Sequence, residues 1–241
     1  MLLLLAAFLP TPAAPSSNED FSLGASLDWN SRYIWRGITA GETAVLQPSI
    51  WTSLFGYNLE AWANYPLRGS DGRRGFDEFN LFLEGTSPRQ ALAVVPGLNI
   101  YTYPHAEENE SWTAEIALTF YMPVGPVWLF WENDVDVVSH RAAYYAEFGL
   151  QAGRDVAESL NLEVALAQGY ATAGFNAAYL GIAQCGLTYL TAHIGIGWRL
   201  AGILTLTPHL EAVFTVGREL RKELGTGVRF NLGMALTLGR D

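Results

Sequence analysis

The sequence holds one cysteine, one lysine and little charge, and each shortage argues against a class of protein. A single cysteine, Cys185, allows neither an internal disulfide nor a four-cysteine zinc site, and we interpret it as a small buried apolar residue. The single lysine, Lys222, and a formal net charge of −10 argue against a basic surface that neutralises nucleic-acid phosphates. Charged residues make up 16% of the chain, against about 25% in typical soluble domains.

Long hydrophobic runs are missing after the N-terminus, although half of the residues are hydrophobic. Beyond the leader no uninterrupted run of about 18 apolar residues occurs, so the sequence predicts no membrane-spanning helix. The segment 187–214 comes nearest, but two histidines, an arginine and a proline interrupt it. The apolar residues are therefore spread over many short segments, which favours strands.

The N-terminus has the apolar run and the small residues of a secretory signal. The stretch MLLLLAAFLPTPAAPSS has this pattern, without the usual basic residues before the apolar run. We predict that residues 1–17 are a cleaved signal peptide, that the mature chain starts near residues 15–20, and that 18–241 form one domain. No cysteine follows the apolar run, so a lipid anchor is not indicated.

From residue 21 onward, apolar and polar residues alternate in segments of about ten. In FSLGASLDWN, for example, Leu23, Leu27 and Trp29 share one face, while Asp28 lies on the other. Period-two alternation is typical of a strand with two unlike faces. The sequence predicts twelve such strands, at 21–35, 45–55, 58–65, 77–85, 92–103, 111–122, 127–137, 142–151, 160–168, 188–199, 203–215 and 227–238.

The connections alternate between tight turns, such as 56–57 and 200–202, and longer loops, such as 66–76 and 170–186, most of which are polar and rich in glycine. This asymmetry, with an even number of strands, is typical of outer-membrane barrels. A closed barrel also pairs every backbone polar group within the protein, as lipid requires. The sequence thus predicts an all-β fold, a transmembrane antiparallel up-and-down β-barrel of twelve strands in a Gram-negative cell outer membrane.

Several partners follow from this fold. They are outer-membrane lipids, the barrel-assembly machinery, and small solutes or ions, and they do not include nucleic acid. Aromatic residues such as Trp29, Tyr33 and Trp35 would lie at the membrane interface. The alternative is a soluble β-sandwich or a secreted lipocalin-like binding barrel, in which the apolar face forms the core. The signal-like leader, the scarcity of charge and the carboxylates on nearly every polar face favour the membrane barrel.

The segment SRYIWRGIT, residues 31–39, resembles the TorF-like family of proteobacterial outer-membrane porins. That family opens with a strand ending in Ser-x-Tyr-x-x-Arg-Gly-x-Ser/Thr, and Ser31, Tyr33, Arg36, Gly37 and Thr39 occupy these places. The resemblance implies an outer-membrane barrel that acts as a channel.

The C-terminal segment has the sequence pattern by which the insertion machinery recognises the last strand of an outer-membrane barrel. Its matching residues are Asn231, Gly233, Leu236 and Leu238, without the usual terminal aromatic residue.

The polar faces of the predicted strands supply the predicted pore lining, in which carboxylates outnumber bases. These residues are Asp28, Arg32, Glu60, Glu84, Glu115, Glu132, Asp134, Asp136, Glu147, Glu163, His193, Arg199, His209, Glu211 and Arg229. A water-filled lumen of this kind favours cations. Twelve strands, however, fall between filled and open barrels, and the alternative is that the charges pair with one another and close the lumen. The sequence therefore predicts a porin for small solutes or cations, with a non-conducting enzyme or surface-interaction scaffold as the alternative.

Three smaller patterns are candidate sites: an acidic stretch, a pair of histidines and the loop 170–186. Glu132, Asp134 and Asp136 share one face and predict either a solvated acidic rim or a weak cation site. His193 and His209 become opposing neighbours if residues 200–202 form the turn between their strands, which allows a metal site or a hydrogen-bonded pair.

In loop 170–186, the spacing of Phe175, Ala178, Tyr179 and Ile182 predicts a short amphipathic helix, resting on the rim or folded inward. Ser139 and His140 are adjacent, so they point to opposite faces and make a poor catalytic dyad. No motif calls for a cofactor, and we predict that the chain is not an enzyme.

Overall fold

Twelve antiparallel strands pair in chain order and close into a barrel, which confirms the predicted fold class. The computed structural model describes residues 21–68, 75–85, 92–225 and 227–239. The predicted signal segment, residues 1–17, lies outside the described residues. The barrel strands are β1 (Phe21–Asn30), β4 (Val45–Leu54), β5 (Tyr57–Pro66), β6 (Glu78–Gly85), β7 (Ala93–Thr102), β8 (Trp112–Val124), β9 (Val127–Asp136), β10 (Tyr144–Ala157), β11 (Leu160–Ala171), β12 (Gly186–Ala201), β13 (Leu204–Thr215) and β14 (Val228–Gly239).

Five further elements lie on the side of the barrel that carries the longer loops. The strands β2 (Tyr33–Trp35) and β3 (Ile38–Gly41) form a hairpin of their own, separate from the barrel sheet. Helix α1 spans Ala173–Leu180, helix α2 spans Arg218–Leu224, and a single 3-10 turn spans Glu108–Glu110. Among the described residues, no helix has the length and apolar character needed to cross a bilayer.

The outer surface of the barrel is apolar, as the alternation predicts. Ile194, Trp198 and Phe230 point outward with exposed fractions of 42%, 50% and 54%. On β13, which lies between the two strands that carry these residues, Glu211 is buried on the inner face, and so is Asn231 on β14. This arrangement puts hydrocarbon-like side chains where lipid would lie, and the ladder closes without a free edge because β1 pairs with β14.

The structure corrects the first predicted strand. The barrel strand β1 ends at Asn30 instead of continuing to residue 35, and the chain then turns into the lumen. Trp29 points outward, with an exposed fraction of 37%, as expected for an interface residue. Tyr33 and Trp35 were predicted on the same outer face, but they are buried inside the barrel, with exposed fractions of 6% and 7%.

The single cysteine also differs from its interpretation. Cys185 lies in the loop between α1 and β12 and is exposed, so it is not a small buried core residue. Its loop leads into β12 through Gly186, whose φ of +147° suits glycine better than a residue with a side chain.

Candidate functional site

A hairpin folded into the lumen dominates the interior on the side with the longer loops. We call residues 31–44, which contain β2 and β3, the lumen hairpin. It leaves the end of β1 and reaches Asp134 on β9, which is six strands from β1 in either direction around the ring. The lumen hairpin therefore crosses the full width of the barrel and narrows the passage there.

A tight turn at Arg36 and Gly37 forms the tip of the lumen hairpin. Their φ angles are +50° and +75°, and Trp35 pairs with Ile38 across the turn. Positive φ at both central residues is the requirement of a type I′ turn, which matches the natural twist of two-residue hairpins. A side chain at Gly37 would also meet the Tyr189 ring, about 2.4 Å from the added carbon.

The Arg36 side chain makes the deepest polar contact in this part of the barrel. Its Nη1 and Nη2 donate to Glu115 Oε1 and Oε2 at 2.7 and 2.8 Å, and Nη2 also lies 2.8 Å from Asp134 Oδ2. The Tyr101 hydroxyl donates to the same Glu115 carboxylate at 2.9 Å. The guanidinium is fully buried, so this bidentate pair ties the tip of the hairpin to the opposite wall.

Aromatic rings surround the guanidinium and fill the space around it. Its central carbon lies 4.9 Å from the Trp35 ring centroid, 4.6 Å from that of Tyr145 and 5.6 Å from that of Phe175. These distances are within the range of cation–π attraction. We call the Arg36 contacts, formed by Glu115, Asp134, Trp35, Tyr145 and Phe175, the arginine pocket.

Helix α1 forms one wall of this pocket. The predicted helix in loop 170–186 is confirmed, with Thr172 accepting the N-terminal hydrogen bond from the Phe175 amide. The helix folds inward: Phe175 is 1% exposed and packs on Trp35, which also contacts Tyr179. Burial raises the pKa of the Tyr179 hydroxyl above its ordinary value, so this ring stays neutral at physiological pH.

A row of hydrogen bonds ties the base of the lumen hairpin to the barrel seam. Asn231 donates to Asn30, Asn30 donates to Gln47, and Gln47 donates to Asn64, at 2.8, 3.0 and 3.0 Å. Asn64 then donates to Asp77 at 2.8 Å. We call Asn231, Asn30, Gln47 and Asn64 the amide belt, and it joins β14, β1, β4 and β5 across the point where the barrel closes.

The residues of the SRYIWRGIT motif all belong to the lumen hairpin. Ser31 donates to Asn231 and accepts from the Leu232 amide, which fixes the start of the hairpin. Tyr33 packs against Trp62, with ring centroids 5.7 Å apart. Arg36 and Gly37 make the turn, and Thr39 lies opposite Ile34 in the β2–β3 ladder.

The acidic stretch at 132–136 is neither a solvated rim nor a free cation site. Glu132, Asp134 and Asp136 are all buried, with exposed fractions of 7%, 0% and 1%. Asp134 pairs with Arg36, while Asp136 accepts hydrogen bonds from the Thr113 hydroxyl and from the backbone amides of residues 138 and 140. Asp134 thus holds the tip of the lumen hairpin, and Asp136 holds the turn that follows β9. The prediction of a solvated acidic rim was therefore wrong.

The histidine pair is close, but its register differs from the expected one. Strand β12 continues to Ala201 and the turn falls at 202–203, so His193 lies opposite Glu211 and His209 lies opposite Gly195. The two rings nevertheless stack with centroids 5.5 Å apart, and His209 Nε2 lies 3.1 Å from Asp28 Oδ1. Within the described residues, no group of three or more histidine, cysteine or carboxylate side chains is placed to hold a metal ion.

The other residues predicted to line the pore spread over the whole depth of the barrel. Glu115, Glu147 and Glu211 are buried, whereas Glu60, Glu84 and Glu163 are partly exposed in the half nearer the short turns.

The bases among these residues lie toward the two ends. Arg32 is on the lumen hairpin near Glu42, at 3.6 Å, and not on a barrel strand. Arg229 stacks on the Tyr189 ring at 4.8 Å, and exposed Arg199 donates to the Glu158 carbonyl near the short turns. Ser139 donates to the Trp112 carbonyl and so is engaged with backbone.

Sequence reasoning missed the inward hairpin and the role of Arg36. The signal was present in the pair Arg36-Gly37, because a glycine after a polar residue, between the apolar residues Trp35 and Ile38, suits a two-residue turn. The continuous alternation through Trp35 obscured that turn, because the hairpin keeps the period of a strand. Tyr101 and Tyr145 were not identified either, since nothing in their local sequence indicates that Tyr101 donates to Glu115 or that Tyr145 lies against Arg36.

The fold matches solved outer-membrane barrels, whereas sequence comparison finds no relative. No protein-family model matches the chain, and no characterised protein matches it by sequence. An outer membrane channel from Pseudomonas putida F1 aligns over 95% of this chain and 99% of its own length, at 8% identity and a TM-score of 0.55.

Two other matches are also barrels. The NanC porin aligns over 91% of this chain and 99% of its own, with a TM-score of 0.54 and 6% identity. The KdgM porin does so over the same shares, with a TM-score of 0.53 and 7% identity. The chain therefore has the fold of the twelve-stranded outer-membrane barrels, and at these identities the likeness concerns the fold alone.

Proposed function

We propose that the protein is an outer-membrane channel of the porin type that passes small cations or small solutes through an acidic lumen. The observation that carries this proposal is the contrast between an apolar outer face and an inner face bearing the partly exposed carboxylates Glu60, Glu84 and Glu163. The names of the matched barrels, which are a channel and two porins, support the same class.

The lumen hairpin adds a constriction to this channel. It crosses the barrel near the longer loops, while the half nearer the short turns keeps the partly exposed carboxylates. We infer that small solutes pass beside this hairpin and that the carboxylates below it set the preference for cations. The SRYIWRGIT motif supports membership of the TorF-like porins of Gram-negative bacteria, inserted by the barrel-assembly machinery.

Neutralising the partly exposed carboxylates in the half of the barrel nearer the short turns tests the proposal. In planar lipid bilayers, the unmodified protein should give stepwise currents that prefer potassium over chloride. The double substitution Glu60→Gln and Glu84→Gln should lower the permeability ratio about twofold or more, because it removes two carboxylates from the wall. Glu108→Gln is the matched control, because Glu108 is exposed in the loop between β7 and β8. Equal ratios in all three proteins would refute cation selection by this wall.

A non-conducting barrel that acts as a surface scaffold is the second candidate, and the lumen hairpin is the observation that favours it. The lumen hairpin is attached to the wall at its base and at its tip, and buried aromatic rings surround it. A barrel that is closed to solutes would have the same features. Absence of any current from a folded protein, judged by heat-modifiable mobility in detergent gels, would support the scaffold and refute the channel.

A further inference from the structure

The arginine pocket belongs mostly to the barrel and not to the hairpin that fills it. Glu115 lies on β8, Asp134 on β9, Tyr145 on β10 and Phe175 on α1. Of the groups that contact the guanidinium, only Trp35 comes from the lumen hairpin. The lumen hairpin thus places the Arg36 guanidinium in a pocket whose other side chains come from β8, β9, β10 and α1.

The chemistry of these walls is that of a receptor for a guanidinium group. Glu115 engages two nitrogens through both of its oxygens, which is the fork geometry that distinguishes a guanidinium from an ammonium. Asp134 supplies a second carboxylate at 2.8 Å. Tyr145 and Phe175 present ring faces at 4.6 and 5.6 Å, and such faces attract a flat cation.

Neutral donors from the barrel also reach the two acidic side chains of the pocket. One guanidinium faces two carboxylates, and the Tyr101 hydroxyl and the Asn99 amide donate to the same two groups, at 2.9 and 3.4 Å. Both donors stand on β7, so each acidic side chain of the pocket has a partner on the barrel in addition to Arg36.

We propose that this pocket is a binding site for diffusible cations that carry a guanidinium group, and that Arg36 is a tethered competitor for it. A soluble arginine-like cation that takes the place of Arg36 releases the tip of the lumen hairpin from the opposite wall. This inference rests on the proposed channel function, since it names both a class of solute and the contact that holds the lumen hairpin across the channel.

The covalent attachment of Arg36 to the chain predicts how tightly a free guanidinium ligand binds the pocket. A ligand attached to its own site is present at a high effective concentration, so a free ligand competes poorly until the attached one is removed. Methylguanidinium, which copies the end of an arginine side chain, should therefore bind weakly to the unmodified protein. It should bind at least tenfold more tightly to the Arg36→Ala protein.

Calorimetric titration of methylguanidinium chloride into the folded proteins in detergent, at constant ionic strength, tests this inference. Methylammonium chloride is the comparison ligand and should bind Arg36→Ala more weakly, because it has no planar fork. Adding Glu115→Gln to Arg36→Ala should weaken methylguanidinium binding at least tenfold. The matched control Arg154→Ala removes an exposed arginine elsewhere and should bind like the unmodified protein. Equal affinity of Arg36→Ala and the unmodified protein, or no effect of Glu115→Gln, would overturn the proposal.

A second variant covers the case in which Arg36→Ala does not fold. Arg36→Lys keeps the charge but loses the fork, so methylguanidinium should bind it more tightly than the unmodified protein, and an unchanged affinity would overturn the proposal.

Bilayer currents separate this inference from the channel itself. Arg36→Ala should conduct more than the unmodified protein, and added methylguanidinium should reduce that current. Binding without current in any variant would refute only the channel, whereas current without binding would refute only the guanidinium site.

Discussion

At the scale of single residues, Gly37 is the most constrained position of the lumen hairpin. Its φ of +75° costs a residue with a side chain about 1–2 kcal/mol, and an added carbon would lie about 2.4 Å from the Tyr189 ring. Gly37→Ala should therefore displace the hairpin tip. We expect a lower free energy of unfolding in urea by at least that amount, and easier quenching of tryptophan fluorescence by acrylamide as Trp35 becomes accessible.

Gly41→Ala is the control for that substitution, because it lies on β3 of the same hairpin. Gly41 has no left-handed backbone, and an added carbon would lie 3.5 Å from Tyr33, which is ordinary contact. The two alanine variants should thus differ clearly. Similar unfolding free energies and similar quenching would show that the turn does not depend on glycine at residue 37.

Individual residues also show where sequence reasoning stops. The inward direction of Asp28, Glu115 and Glu211 follows from alternation along their own strands. The partners of these residues do not follow from it. Arg36 and Glu115 are 79 positions apart, and only the closing of the barrel brings them together.

At the scale of elements, the amide belt links four strands across the barrel seam. Asn30 donates to Gln47 and to Asp28, and it accepts from Asn231. Asn30→Ala leaves several buried partners unsatisfied, so it should lower the free energy of unfolding by about 2 kcal/mol or more. Urea unfolding in detergent micelles, followed by tryptophan fluorescence, measures the change.

Asn58→Ala provides the comparison for the belt. Asn58 lies at the other end of β5, where its side chain accepts from the Ser53 hydroxyl and is partly exposed. Water can replace that single bond, so the loss should be within about 1 kcal/mol. A loss as large as that of Asn30→Ala would argue that the seam has no special dependence on the belt.

The elements themselves were predicted well because each strand carries its own two-faced pattern. The twelve predicted segments match the twelve barrel strands. The prediction runs past the end of β1, where β2 continues the alternation inside the lumen, and it stops short of the end of β10. Helix α1 was also predicted, but the sequence left open whether it rests on the rim or folds inward. Its direction depends on Trp35 and Tyr145, which lie on other elements.

At the scale of the whole molecule, the orientation of the apolar face separates a membrane barrel from a soluble one. Trp198 is half exposed on the outer wall, whereas Trp62 is 2% exposed inside. In vesicles of phospholipid brominated in its acyl chains, Trp198→Phe should reduce the fraction of fluorescence that the lipid quenches. Trp62→Phe should leave the lipid-quenched component unchanged. The opposite result would place the apolar face in a core.

The sequence by itself determined the strands, their number and which residues share a face, because period-two alternation is local and each segment repeats it. It also placed carboxylates on the polar face of many strands. Only the tertiary structure decided that residues 31–44 cross the lumen and that Arg36 meets Glu115 and Asp134. The reason is physical: the hairpin has the same alternation as a barrel strand, and its inward path is stabilised by side chains from strands that become neighbours only when the ring closes.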